Sequence, residues 1–252
     1  MSLFRAALKP PALKTDDVFE IGGRPVRLRV NARARRISLR VDPKRREVVA
    51  IAPSERKLAD ALRFAESRAG WIAERLAVLP ELRPLRPGAI IDVGGAPCRL
   101  ERAAMRIVPR LIPATADEPQ RLVAYGHDEA YGRAAMRALK AEALKRLTAR
   151  TGAHAERLGQ PMPTVAVADA KGRWGSCKQA ARGRPAAIRY SWRLVLAPAT
   201  VLDYVAAHET AHLIEGNHGP GFWALVDQLY GDHRATRRWL RIHGGAVQAM
   251  SA

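Results

Sequence analysis

The sequence predicts an α+β protein: a β-rich N-terminal domain with one long helix, followed by a C-terminal domain with a small sheet and a run of helices. Three observations predict it. Up to about residue 126, apolar residues alternate in short runs broken by Gly, Pro and Asp, which is the period of strands. A single interruption, 55–79, carries its apolar residues at three- and four-residue steps instead. From Asp128 onward, Ala- and Leu-rich stretches of helical period dominate.

Taken in order, residues 1–16 show little periodicity and read as a flexible tail. Runs at 18–21 and 26–30 flank Gly22-Gly23 and predict a hairpin. Residues 37–41 alternate with period two, Asp42-Pro43 breaks the run, Lys44 to Glu47 make the turn, and 48–52 follows. Ser54 is the expected N-cap of a helix over 55–79, with Leu58, Leu62, Ala65, Ala69, Ile72 and Leu76 on its apolar face and Trp71 in the same core. Prolines 80, 84 and 87 mark a linker. A second hairpin is expected at 90–93 and 98–100 around Gly94-Gly95, with strands at 105–111 and 121–125, which closes a β-rich domain over 17–126. The second domain is expected over 127–245. It starts with a helix at 128–158, whose core candidates are Met136, Leu139, Leu144 and Leu147. Strands at 164–169 and 187–196 flank a loop at 178–185. Helices follow at 198–215, 220–230 and 234–243, closed by Gly244-Gly245, with 246–252 as a tail. No internal repeat is apparent.

Lys and Arg number 43 against 24 Asp and Glu, a formal charge of +19. Such a field draws in polyanions, so nucleic acid or a nucleotide is a possible partner through a basic surface. The charge is spread along the chain, from Arg33, Arg35 and Arg36 to Arg234, Arg237, Arg238 and Arg241, and an Arg-rich composition with no dedicated partner explains it equally well. Cys98 and Cys177 form no Cys-x-x-Cys pair, which excludes a thiolate zinc site and a disulfide framework. No apolar run approaches the length of a membrane span and no signal-like segment opens the chain, so a cytoplasmic protein without membrane association is expected.

The chemistry points to His208-Glu209-Thr210-Ala211-His212. Four residues apart on a helix, the two imidazoles share one face and both reach a single ion. Thr200 with Asp203 resembles a capping arrangement behind Pro198, and Gly216-Asn217 is a natural stop. Glu209 would lie beside the open position of a zinc ion without being a ligand, where it could take a proton from a zinc-bound water. A catalytic zinc has three protein ligands and a water. His218, past the Gly216-Asn217 turn, is favoured as the third, with Glu215 as its rival; His233 and His243 sit in later helices. A chance match on a surface helix is the bland alternative, but the cap, the apolar flanks Val201, Leu202, Val205, Leu213 and Ile214, and the third histidine all agree against it.

Other residues weigh less. Trp174-Gly175-Ser176-Cys177 precedes a strand and fits a cleft edge better than it fits a nucleophile, because no base stands at a diagnostic spacing. Arg173 and Arg193 are candidates for binding a substrate anion or an oxyanion, or are solvated charges at strand ends. Tyr190, Tyr204 and Tyr230 include possible oxyanion donors. Asp203 and Asp227 are possible acceptors of an imidazole N–H, with Asp203 better suited to the helix N-terminus.

Several blocks resemble the YgjP-like metallopeptidase family, related to the SprT and WLM zinc proteases of the zincin superfamily. They are Arg173-Trp174-Gly175-Ser176-Cys177, Ser191 through Pro198, Val201-Leu202-Asp203-Tyr204-Val205 leading into the His208 motif, Asn217-His218 and Phe222-Trp223. Arg35 through Pro43, Gly70-Trp71-Ile72 and Gly94-Gly95 resemble the family's first domain, so most of 17–245 is covered. The resemblance implies a zincin-like C-terminal domain, an active-site helix, a Zn2+ held by His208, His212 and His218, Glu209 as general base, and a peptide or protein substrate. Thr210 and Gly219 depart from the family's usual residues at positions that are not ligands. Apart from the resemblance, the residues themselves indicate a metal-dependent hydrolase, and the charge keeps two alternatives in view: a nucleotide or phosphate-ester hydrolase, and a protease associated with nucleic acid. A purely structural zinc site is disfavoured by the lack of thiolates.

Overall fold

The computed structural model describes residues 12–42, 45–79, 83–170, 172–181 and 183–251. Most of the expected N-terminal tail, and Lys44 of the expected turn, lie outside the described residues. The chain divides into two compact units, Met1–Pro80 and Glu81–Ala252. The change of composition at Asp128 therefore falls inside the second unit, and the boundary lies at the proline linker instead of at 126.

In the first unit, strands β1 (Val18–Ile21), β2 (Arg24–Val30), β3 (Ser38–Asp42) and β4 (Glu47–Ala52) form a sheet of order β1-β2-β4-β3. Gly22 and Gly23 both have positive φ, as the tight β1–β2 hairpin requires. Residues 12–16 are not loose: the Asp16 N–H donates to Leu28 O. The single helix expected over 55–79 is two, α1 (Leu58–Glu66) and α2 (Ala69–Ala77), after a 3₁₀ turn at Glu55–Lys57. Ser67 causes the break, because its hydroxyl donates to Phe64 O and competes with the helix ladder. A straight helix over all of 55–79 would be about 37 Å long and would overrun strands of about 20 Å. Broken in two, it lays Leu58, Ala61 and Ala65, and then Ile72 and Leu76, on one core with Val26, Leu28 and Val48. Ser54 makes no side-chain cap, and Trp71 is half-buried against this core.

The second unit opens with β5 (Arg83–Pro84), β6 (Ile90–Val93), β7 (Ala96–Arg102), β8 (Arg110–Ile112) and β9 (Gln120–Ala124). The strand expected over 105–111 is thus confined to its last residues. The sheet order β6-β7-β9-β8 repeats that of the first unit, and the registers repeat with it. One constant offset maps Phe19↔Val26 onto Ile91↔Cys98, Val26↔Val48 onto Cys98↔Gln120, and Ser38↔Ile51 onto Arg110↔Val123. Ile21-Gly22-Gly23-Arg24-Pro25-Val26-Arg27-Leu28 aligns with Val93-Gly94-Gly95-Ala96-Pro97-Cys98-Arg99-Leu100. An internal repeat is therefore present, contrary to the sequence reading. The hairpin turn, Pro25/Pro97, Arg27/Arg99 and buried apolar pairs such as Ile21/Val93, Leu28/Leu100 and Ala52/Ala124 kept their character, but over so short a span the match did not stand out in the sequence.

Helix α3 (Asp128–Arg157) follows and buries Tyr131, Ala135, Leu139, Leu147 and Ala155. Leu144 is exposed, turned about 100° from the buried Ala143. Strands β10 (Thr164–Ala168), β11 (Gly175–Lys178) and β12 (Ala187–Ser191) form a sheet of order β10-β12-β11. β11 is a strand where only a cleft-edge segment was expected. β12 is shorter than the expected 187–196, because Trp192–Leu196 coil into a wholly buried 3₁₀ turn. Helices α4 (Ala199–Ala211), α5 (Pro220–Tyr230) and α6 (Arg234–Gln248) complete the unit. Gly244-Gly245 does not end α6. Gly244 is there for space: a Cβ on it would lie 3.1 Å from the Trp174 indole. Nor is 246–251 a tail, since β13 (Met250–Ser251) pairs parallel with β5; Ala252 lies outside the described residues. Met250 O also accepts from Arg193 Nε and Nη2 at 3.1 and 2.7 Å. No helix among the described residues is long and apolar enough to cross a membrane.

Candidate metal centre

Helix α4 is apolar on most sides and largely buried, which fixes where its last turn points. His208 and Glu209 sit in that turn. His212 is the C-cap in αR conformation (φ −66°, ψ −10°), so it keeps the helical register although the helix ends earlier than 215. The chain then turns tightly, with Leu213 N–H to Thr210 O and Glu215 N–H to Ala211 O, and returns to present His218 just before Gly219 caps α5 and Pro220 starts it. Ring centroids are 5.2 Å apart for His208–His212, 5.1 Å for His208–His218 and 4.8 Å for His212–His218. One nitrogen from each imidazole lies within 4.8 Å of the others, and among the described residues this is the one cluster able to hold a metal ion.

The donor set fits such an ion. His208 Nε2 and His218 Nε2 are 3.2 Å apart, close to the edge of about 3.4 Å that tetrahedral ligands make at zinc–nitrogen distances. His212 Nδ1 donates to Glu215 O at 2.8 Å, which fixes the tautomer and frees Nε2 as an acceptor. Glu215 thus contributes its carbonyl to the site, and its carboxylate is not in the cluster. Burial, then the charges of His212 and His218, push His208 down to about 4, so its imidazole is neutral, as a ligand must be. Phe222, fully buried, packs 4.8, 4.5 and 4.6 Å from the rings of His208, His212 and His218. It is the common floor under all three. In the sequence it carried no signal of that role beyond its place in the family resemblance.

Glu209 is buried beside this cluster, and burial pushes its carboxyl up to about 7 against the opposing charge of Arg173. Gly175 on β11 makes room for it: a Cβ at 175 would stand 2.6 Å from the Glu209 carboxylate carbon. The Trp174-Gly175 segment therefore does form the cleft edge. A cleft of about 320 Å³ opens here, lined by Trp174, Tyr204, His208, Glu209, Arg237 and Leu240. Its lining includes Gly175 of β11, which is an edge strand of its sheet among the described residues.

Other candidates are placed elsewhere. Arg193 is buried, paired with Asp169 and stacked on Trp192, so it binds no substrate anion. Arg173 is exposed near Glu209. Tyr190 is fully buried with its hydroxyl 2.9 Å from Thr151 Oγ1, out of reach of a substrate, which removes it as an oxyanion donor. Tyr204 lines the cleft, and Tyr230 packs on it at 5.5 Å. Ser176 and Cys177 are half-buried in β11, and burial, with Glu209 adding, pushes the Cys177 thiol up to about 11. Thr200 caps nothing. Asp203 serves neither the helix end nor a cluster histidine, but accepts from Arg150 Nε at 2.6 Å and His154 Nε2 at 2.7 Å. Asp227 lies 3.3 Å from His233, which is also outside the cluster.

No curated protein and no solved structure matches the chain significantly. A family model, the YgjP-like metallopeptidase domain, matches residues 35–243, which takes in strands of the first unit and the whole histidine cluster. The match extends over most of the sequence, and the chain belongs to the YgjP-like metallopeptidase family.

Proposed function

We propose that this metallopeptidase is a zinc enzyme that cleaves peptide bonds with Glu209 as general base and His208, His212 and His218 as the metal ligands. The observation that carries the reading is Glu209 itself, a buried carboxylate outside the ligand set, wedged against the glycine of an edge strand. Three imidazoles without a thiolate suit zinc with one open position. Zinc held there supplies Lewis acidity toward the scissile carbonyl and toward water. Glu209 accepts a proton from the attacking water as its oxygen bonds to the carbonyl carbon, and returns it to the amine nitrogen as the C–N bond breaks. Packing against Gly175 limits the positions open to its carboxylate. The free edge of β11 offers backbone groups to an extended peptide, which supports a groove for polypeptide over a closed nucleotide pocket.

Glu209→Gln should retain one zinc per chain by elemental analysis while losing at least about 100-fold of casein hydrolysis. His208→Ala and His212→Ala should lose metal and activity together, and His218→Ala should lose far more metal than Glu215→Ala. Undiminished hydrolysis by Glu209→Gln would sink the role given to it. The +19 charge supports phosphate esters as a second substrate class. A nucleotide panel run beside casein separates the two: turnover of nucleotides alone would replace the peptidase reading.

A further inference from the structure

The lining of the cleft includes a cation, Arg237, that pairs with no carboxylate among the described residues. Arg237, exposed on α6, holds its guanidinium 5.0 Å over the Trp223 ring. Trp223 stacks on His233 at 5.1 Å and 9°, and His233 stacks on Tyr204 at 5.5 Å and 5°. A column of near-parallel rings thus runs from α4 to the guanidinium, which sits on the face of Trp223. Arg150, Arg193 and Arg234 are paired with Asp203, Asp169 and Asp232, whereas no carboxylate among the described residues pairs with Arg237. It lines the same cleft as His208 and Glu209, together with the apolar Trp174 and Leu240.

We infer that Arg237 is a specificity-determining residue that binds a carboxylate of the substrate beside the scissile bond, so that the preferred substrate is an acidic peptide. The inference rests on the peptidase reading. A single planar fork matches a carboxylate in two parallel hydrogen bonds. The ligand chemistry has two sources, an Asp or Glu side chain within the peptide or a free C-terminal carboxylate.

The test is binding by the full-length zinc-loaded Glu209→Gln protein, read by fluorescence anisotropy at low salt. Four labelled peptides are compared: acidic, neutral and basic ones with amidated ends, and a neutral one with a free C-terminus. The acidic or the free-ended peptide should bind about tenfold tighter than the neutral amide, the size of one solvent-accessible charge-assisted contact, and which of them gains identifies the source. Adding Arg237→Ala should abolish the difference between the peptides, Arg237→Lys should restore part of it, and Arg237→Glu should shift the preference to the basic peptide. A preference that survives Arg237→Ala, or an equal loss for every peptide, would overturn the inference. Cleavage by the wild-type chain reads out separately. Peptide cleavage without acid preference in binding overturns the role of Arg237 alone, and acid-selective binding without cleavage of any peptide overturns the peptidase reading alone.

Discussion

At the scale of single residues, the site depends on side chains that are absent as much as on those present. Gly175 is needed because Glu209 fills the space a Cβ would take, and Gly244 because Trp174 does. Neither has a positive φ, so the requirement is steric and not conformational. Gly175→Ala should leave zinc binding intact and lower peptide hydrolysis by about 100-fold, since a displaced base forfeits most of the general-base contribution. Metal analysis and casein turnover on the same preparation check this, and full activity would remove the steric claim. Phe222 shows the limit of sequence reading at this scale. His208, Glu209 and His212 declare themselves by spacing, but a phenylalanine under three imidazoles looks like any other core residue until the turn at 212–218 brings them together.

At the scale of elements, α4 is aimed by α3, and the clamp between them is polar. Asp203 on α4 accepts from Arg150 and from His154, which is almost fully buried. Burial pushes Asp203 up, but the bonds from His154 and Arg150 outweigh it, and its carboxyl sits below the usual range. A carboxyl depressed in the folded state stabilises fully above its unfolded pKa, near 3.9, and loses that contribution as pH falls through the lower folded value. Asp203→Ala should therefore cost about 2 kcal/mol at pH 7, mostly by stranding buried His154. Urea unfolding at pH 7, 5 and 3 should show that gap closing only below about pH 4; a constant gap would argue that the loss is packing alone. The capping role expected of Asp203 was plausible from its position three after Thr200. Its real partners come from a helix some fifty residues earlier, which no local pattern reports. The continuation of α6 through Gly244-Gly245 has the same origin, for there a distant neighbour, Trp174, overrides the local propensity.

For the whole molecule, the second unit contains a complete core. Its buried cluster runs from Leu85 to Met250 and draws on no residue of the first unit, whose own core runs from Ile21 to Leu76. Residues 81–252 alone should fold cooperatively and bind zinc with the stoichiometry of the full chain, as circular dichroism and metal analysis would show. An unfolded fragment would mean that the first unit is needed for stability. The repeated four-stranded sheet gives this a structural rationale, since each copy is covered by its own helices: α1 and α2 on one, α3 on the other. The sequence by itself determined the α+β class, most strand and helix positions, and the His208-Glu209-His212 pattern, because periodicity and i, i+4 spacing are local properties. Only the tertiary structure decided the boundary at Pro80, the repeat, the pairing of Met250–Ser251 with Arg83–Pro84, the place of His218 beside His208 and His212, the burial of Arg193 and the exposure of Arg237. Those depend on which surfaces meet across long stretches of chain, and a linear pattern of apolar and charged residues does not encode which charge finds a partner.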